Sequence, residues 1–417
     1  MDLYSCEMTH IVNIRDNDMP IDKEAVFNDT QGKKNVIHLN NAGSSLMPNC
    51  VFETQLTHLT LEASIGGYEA ANRMSGQIEA VYDSVSRLIN CHRDEIAIVE
   101  NATVGWMMAF YSIPFKKGDR ILTCEAEYAS NYLAYLQVAK QKEIIIEVIP
   151  SNTEGEICIS SLEEMIDEHV KLVSVTHVPT NGGLINPVEE IGALTKRNNI
   201  FYIVDACQSA GQIPLDVESI QCDVLSATGR KYLRGPRGIG FLYVRKSVIK
   251  KLHPPMIDLM SATWTSPSSY ELRNDARRFE NWENNYSAKL GLGSAVDYAL
   301  NIGIENIESA VTLLAEEVRT MLSTIHCITV RDIGKNKCGI ITFTVDGFKA
   351  PYIVEQLHGK NINVSSSCPS STLIDATKRK LPDLVRASVH YFNDDKEINT
   401  FIRALKEIIS TKQQLTL

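Results

Sequence analysis

The stretch from Asp223 to Val244 constrains this chain more than any other. It reads as an apolar run, Val224 to Ala227, then a polar turn, then a second apolar run, Ile239 to Val244. The turn gathers Thr228, Arg230, Lys231, Arg234 and Arg237 among Gly229, Gly235, Gly238 and Gly240. Short apolar runs bounded by glycine read as buried strands. A lysine is therefore displayed between two strands, beside a hydroxyl and several cations. That setting suits a phosphorylated aldehyde: the amine can form a Schiff base, neighbouring cations lower its pKa, and Thr228 with backbone N–H groups can hold phosphate. The plainer alternative is a cationic loop that binds a phosphate or nothing.

The preceding segment, Phe201 to Gly211, weakens that alternative. It reads as a strand ending in Asp205, with Gln208 three residues on. Pyridoxal phosphate needs a carboxylate that keeps its pyridine nitrogen protonated, because the protonated ring is the electron sink. A strand-end aspartate followed by strand, turn and lysine is more specific than either feature alone. Pyridoxal 5'-phosphate is the expected cofactor, with Lys231 and Asp205 as the catalytic pair.

On Asp205-Ala-Cys-Gln208, Ala227-Thr-Gly-Arg-Lys231 and Gly235-Pro-Arg-Gly-Ile-Gly240 the chain resembles the class V aminotransferase and cysteine desulfurase group of fold-type I pyridoxal-phosphate enzymes. The likeness runs from about Ile37 to the C-terminus. It implies an α/β fold, with a mainly parallel, seven-stranded-type sheet in a large domain and a smaller C-terminal α/β domain. The expected division is an N-terminal extension over 1–35, a cofactor-binding domain over 36–305 and a small domain over 306–417. Alternating strands and helices from Glu95 to Val244 independently argue for a parallel sheet, with ligands at the carboxyl ends of its strands.

Bulk properties agree with an enzyme of this kind. The chain has 417 residues, 44% hydrophobic and 22% charged, with a net charge of −10. That charge argues against nucleic acid or an anionic membrane as main partner. Ten cysteines occur without a CxxC pair, so no metal site or disulfide framework is expected and a reducing cytoplasm fits. The first ten residues lack a basic region followed by an apolar one, so no leader is expected, and no apolar run reaches membrane-spanning length. Residues 1–35 show little periodicity and are expected to wrap the surface or lie partly disordered.

The resemblance assigns further residues. The opening turn Asn40-Asn-Ala-Gly43 implies that Asn41, Ala42 and Gly43 line the substrate pocket. After a strand from Glu95 to Val99, Ala102 and Thr103 open a helix and are expected to grip the cofactor phosphate through free N–H groups; Thr103 as a simple helix cap is the alternative. Tyr128 stands where related desulfurases stack a histidine on the ring. Tyrosine stacks as well but is a poor acid or base near neutral pH. Thr180, or its neighbour Asn181, stands where the family offers an asparagine to the cofactor, and His177 reads as a buried histidine. Gln208, Thr228 and Arg230 complete the cofactor set. Arg386 resembles the family's substrate-carboxylate clamp, since a guanidinium can donate two parallel hydrogen bonds. Trp282 and Glu283 replace a Gly-Thr pair that reaches a partner's phosphate in relatives. Trp282 is thus a candidate substrate contact in a homodimer with shared sites, with Asn284, Asn285 or Tyr286 able to supply the phosphate grip.

Cys368, in the serine-rich loop Ser365 to Thr372, sits where desulfurases keep a nucleophile. The loop lacks the basic neighbours that would raise its thiolate fraction. The expected activity is therefore carbon–sulfur lysis of a cysteine-derived or cysteine sulfoxide-type amino acid by β-elimination. Cysteine desulfuration, transamination or epimerisation are the alternatives among enzymes, and a catalytically silent binding protein lies outside them.

Overall fold

The structure, a computed structural model, describes residues 21–415. A seven-stranded sheet forms its centre, in the order Ile96–Val99, Gly240–Val244, Val224–Thr228, Phe201–Asp205, Val170–Thr176, Arg120–Cys124 and Ile145–Ile149. Six strands run the same way and Gly240–Val244 runs against both neighbours. The mainly parallel sheet expected from the alternating pattern is present. Its inner strands are buried on both faces and so read as nearly continuous apolar runs, whereas the edge strand Ile145–Ile149 is partly exposed. Successive residues serve opposite cores: Ile203 packs with Leu172, Val224 and Leu242 on one face, while Val204 joins Val173, Val175 and Leu225 on the other.

The helices show why they form where they do. Val188–Arg197 carries Glu189 and Glu190 in its first turn and Lys196 and Arg197 in its last, both favourable to the helix dipole. It buries Val188, Ile191, Leu194 and Thr195 on one stripe. On the other face, the helix Ala102–Phe110 stacks Trp106 on Phe110 at 4.8 Å, and Tyr135 packs against both. Tyr135 belongs to the helix Ala129–Lys142, which the periodicity above does not single out, nor does it single out Ile145–Ile149.

A second, four-stranded antiparallel sheet is ordered Ile328–Val330, Ile340–Val345, Leu384–Ser388 and Ser365–Ser367. Ile37–His38 does not join the main sheet: it pairs in parallel with Ile362–Asn363, and Asn40 bridges Ser388. The Pro- and Ser-rich excursion after Lys251 contains a hairpin, Ala262–Ser266 against Ser269–Leu272, that pairs Trp264 with Tyr270.

The expectation for residues 1–35 divides. Residues 1–20 lie outside the described part. Residues 21–35 are built into the body: a helix over Lys23–Asn28 is capped by Asp22, and the Lys33 amine is buried against Asp394 (3.2 Å), Glu397 (3.0 Å) and the Phe392 carbonyl. Arg234 completes the tie. Fully buried, it donates to Thr30 (2.7 Å), to the Leu46 carbonyl (2.8 Å) and to the Tyr391 hydroxyl (2.7 Å), with Phe392 4.5 Å from its guanidinium carbon. The turn carrying Lys231 is thereby anchored to the segments around Thr30 and Tyr391. Among the described residues, no helix is long and apolar enough to cross a membrane.

Candidate active site

The carboxyl ends of the central strands enclose one cavity. Asp205 ends its strand, Thr228 ends the next, and Lys231 follows three residues later. Two glycines let these segments close up. Gly211 has φ +93°, and a Cβ there would lie 2.5 Å from the Leu233 nitrogen and the Tyr232 carbonyl carbon, so the segment after Asp205 packs directly on the backbone after Lys231. At Gly240 a Cβ would meet the Ala227 oxygen at 2.5 Å and the Ala102 nitrogen at 3.2 Å, so its absence gives the helix start at Ala102 room beside the sheet.

Ala102, Thr103, Tyr128, Thr180, Asp205, Gln208, Thr228, Arg230 and Lys231 all line this cavity. Every residue expected to hold the cofactor is thus brought to one place. Asn101, Trp106, Asn131, Thr176, Val178 and Cys207 line it as well. The helix Ala102–Phe110 is capped by Asn101, whose Oδ1 accepts from the Val104 nitrogen at 3.0 Å. Thr103 is therefore not the cap, and its hydroxyl is left for the cavity.

The donors fit pyridoxal phosphate. The first-turn amides of Ala102 and Thr103 have no intrahelical acceptor and suit a phosphate. The Asp205 carboxylate is oriented by two donors, the Cys207 nitrogen (2.9 Å to Oδ1) and Asn131 Nδ2 (3.0 Å to Oδ2). Gln208 donates to the Ala42 carbonyl (3.2 Å) and Thr180 (3.4 Å), while its Oε1 is buried without a partner. Burial depresses the Lys231 amine pKa, helped by Arg230 and Arg386 and opposed by Asp205.

The substrate-pocket candidates divide. Asn41 is fully buried and faces away from the cavity's lining: it donates to the Ser388 carbonyl (2.8 Å) and accepts from Ser45 (2.7 Å). Ala42 and Gly43 reach the site through their carbonyls, which receive Gln208 and Arg230. Trp282 does not line the cofactor cavity of its own chain. It is 53% exposed and borders a surface hollow with Leu59, Tyr68, Glu100 and Gly238. Of the phosphate-grip candidates beside it, Asn285 spends its side chain capping Tyr286–Ile302.

Between Thr180 and Asn181 the geometry decides. Thr180 faces the cavity, whereas Asn181 turns toward the Cys368 carbonyl (3.1 Å) and Thr372 (3.1 Å). His177 is buried with Nδ1 unpartnered, and burial lowers its pKa to about 4.

Arg386 stands over Thr180. Nη1 donates to the Thr180 carbonyl (3.1 Å) and hydroxyl (2.8 Å), and Nε donates to Ser365 (3.1 Å). Among the described residues it has no ion-pair partner, and burial works against its charge. Only Nη2 is uncommitted, so the two-pronged grip expected of a guanidinium is reduced to one nitrogen. Cys368 is exposed, with Ser370 Oγ 2.9 Å and Ser371 Oγ 3.6 Å from its sulfur; those hydroxyls lower its pKa.

The aminotransferase class-V profile matches residues 37–401. The chain belongs to the class V aminotransferase family. Known proteins and structures share nearly its whole length: a probable cysteine desulfurase of Pyrococcus abyssi is 30% identical over 93% of this chain and 98% of the relative. A probable cysteine desulfurase of Synechocystis is 29% identical over 90% and 91%. The apo structure of a cysteine desulfurase from Thermococcus onnurineus superposes with a TM-score of 0.88 at 27% identity, covering 94% of this chain and 99% of that one. A cystine C–S lyase solved with cysteine persulfide shares the fold at a TM-score of 0.80 and 23% identity, over 90% and 98% of the two chains. This class V chain is accordingly a pyridoxal-phosphate enzyme of fold type I.

Proposed function

We propose that this class V enzyme cleaves the carbon–sulfur bond of cysteine or a cysteine-derived amino acid. The observation that carries the reading is the unpaired, buried guanidinium of Arg386, held by Thr180 beside the cavity that contains Lys231 and Asp205. A buried cation without a counter-charge is costly, and a substrate carboxylate relieves that cost. The cysteine desulfurases among its relatives support sulfur as the β-substituent.

Bound pyridoxal phosphate supplies an aldehyde that captures amines and a ring that accepts the electron pair released at the substrate's α-carbon. The chain's own residues do the rest. The amides at Ala102 and Thr103, with Thr228, hold the phosphate. Asp205 keeps the ring nitrogen protonated, and Tyr128 covers the ring. Arg386 fixes the substrate carboxylate. Lys231, its amine pKa already lowered by burial, takes the α-proton from the bound substrate.

Where the sulfur goes separates two versions. In the lyase version it leaves to solvent. In the desulfurase version Cys368 accepts it, and two observations favour that version: the thiol pKa is lowered, and Asn181 ties the Cys368 carbonyl next to Thr180. The test is Cys368→Ala assayed with sulfur-labelled cysteine and cystine. Activity within about tenfold of the parent, equivalent to about 1.4 kcal/mol, supports lysis. Lost turnover, together with label trapped on Cys368 in the parent, makes the enzyme a desulfurase. Release of neither pyruvate, alanine nor sulfur from either substrate overturns the carbon–sulfur reading.

The working unit in this reading is a homodimer. Phe52, Leu56 and Leu59 are exposed along one helix, and Leu59 joins Tyr68 and Trp282 around the hollow beside the phosphate-binding turn. A second copy covering that face would bring Trp282 toward the partner's site. The residue ranges 36–305 and 306–417 are taken as its large and small domains. The cysteines of the described residues are all free, which fits a reducing cytoplasm.

A further inference from the structure

A second carboxylate lies against Asp205, and none of the roles above uses it. Glu127 is 3% exposed. Its Oε1 accepts from Thr176 Oγ1 (2.6 Å), the Tyr128 nitrogen (2.9 Å) and Asn131 Nδ2 (2.9 Å), and its Oε2 accepts from Thr123 Oγ1 (2.8 Å). Asn131 Nδ2 carries two hydrogens, and its other contact is Asp205 Oδ2 at 3.0 Å. One amide nitrogen therefore bridges two buried carboxylates. The bridge spans three adjacent strands, since Thr123, Thr176 and Asp205 lie near the ends of neighbours in the sheet.

This arrangement is expensive for a merely structural hydrogen-bond hub. Among the described residues Glu127 has no cationic partner; burial raises its pKa, and the nearby Asp205 charge raises it further. A neutral glutamine could accept from the same three donors through its oxygen and offer its amide to Thr123 and to the Cys124 sulfur, which now lies 3.7 Å from Oε2. The carboxylate is worth its cost where negative potential is useful, and the group beside it is the carboxylate read as partner of the cofactor's ring nitrogen.

We propose that Glu127 is a positioning residue for Asp205: through Asn131 it fixes the Asp205 carboxylate and adds a buried negative charge that favours a protonated cofactor ring. The same residue holds the backbone nitrogen of Tyr128, so one side chain aligns the ring's charge partner and the residue that covers its face. This inference rests on the reading of Asp205 given under the proposed function.

The test uses holoenzyme reconstituted with cofactor isotopically labelled at the pyridine nitrogen, in the parent, Glu127→Gln, Asn131→Leu and Asp205→Asn proteins. The nitrogen's NMR shift reports ring protonation directly, and a purely structural role would not move it in a folded, cofactor-loaded variant. Glu127→Gln and Asn131→Leu are expected to move the shift toward the neutral ring. They should also lower kcat about tenfold or more while KM stays within about twofold. If Glu127→Gln does not fold, Glu127→Asp takes its place, because the shorter side chain withdraws the carboxylate from Asn131, whereas Asn131→Leu also removes a donor to Asp205 directly. A parent-like shift and kcat in a folded bridge variant overturn the inference. If Asp205→Asn is silent too, the underlying reading of Asp205 fails; if Asp205→Asn moves the shift and the bridge variants do not, only the present inference fails.

Discussion

Replacing Arg386 by glutamine tests the substrate reading most directly, because the structure limits what the guanidinium has to give. Nη1 is committed to both oxygens of Thr180 and Nε to Ser365, which leaves Nη2 for a carboxylate. One hydrogen bond to a charged group contributes about 1.5–3 kcal/mol, so losing it should lower kcat/KM for cysteine by about 10- to 150-fold. A two-pronged clamp would cost more. The control is cysteamine, which has the amine and thiol of cysteine but no carboxylate. Its kcat/KM should start low in the parent and change by less than about threefold in Arg386→Gln, because the deleted contact is absent from that pair. The assay is steady-state sulfide or pyruvate release for cysteine and sulfide release for cysteamine, on protein shown by its visible spectrum to be cofactor-loaded. Equal losses on both substrates would refute the clamp and make Arg386 a prop for Thr180.

Three further outcomes follow from the same geometry. Lys231→Ala should abolish both turnover and the visible absorbance of the bound cofactor, and a purified variant retaining both would move the catalytic amine elsewhere. Asp205→Asn should keep the cofactor bound yet slow α-proton exchange by at least about a hundredfold, or about 2.7 kcal/mol; near-parent exchange in deuterated water would contradict it. His177 should make the fold acid-sensitive. Its pKa falls from 6.5 to about 4 on burial, so between those values the unfolded chain binds a proton that the folded one does not. Stability should drop by about 3 kcal/mol as pH falls through that window. Urea midpoints of the parent and His177→Gln should diverge in their pH slope there and run parallel above it.

The residues that the sequence exposes are those placed by local chemistry. Asp205, Thr228 and Lys231 follow apolar strands whose ends are marked by glycine and polar residues, so strand, turn and cofactor pocket are visible within one segment. The same logic locates Ala102 and Thr103 at a helix start. It misses the cap, because Asn101 and Thr103 are both able to cap and only the backbone shows which one does. Contacts between distant segments leave no such trace. Asn41 looks like a pocket residue until Ser388, 347 positions away, claims its amide. Arg386 is legible as a cation on a strand, but its commitment to Thr180, 206 positions away, is what reduces its free donors to one nitrogen. Lys33 reads as part of a loose extension, although Asp394 and Glu397 pull it into the body.

Cys368 shows what composition leaves out of a site. A thiol pKa falls when donors stabilise the thiolate, and formal positive charge is only one source of such donors. The serines around Cys368 look inert in a list of residues. In the folded loop, Ser370 and Ser371 place their hydroxyls beside the sulfur, and Asn181 fixes the loop's backbone to the segment carrying Thr180. The loop therefore offers hydroxyls in place of cations beside the thiol. What distinguishes lysis from desulfuration is proton supply. On the resemblance, Tyr128 stands where desulfurases stack a histidine, so a sulfur acceptor at Cys368 would have to work without that acid–base group. Lys231, the amine whose pKa burial has lowered, is the basic group of the cavity placed to carry that proton. If Cys368→Ala loses all turnover, Lys231 must serve both the α-carbon and the departing sulfur. The pH profile of the parent's kcat should then carry the ionisation of the Cys368 thiol beside that of Lys231, whereas in a Cys368→Ala protein acting as a lyase the thiol's limb should be missing.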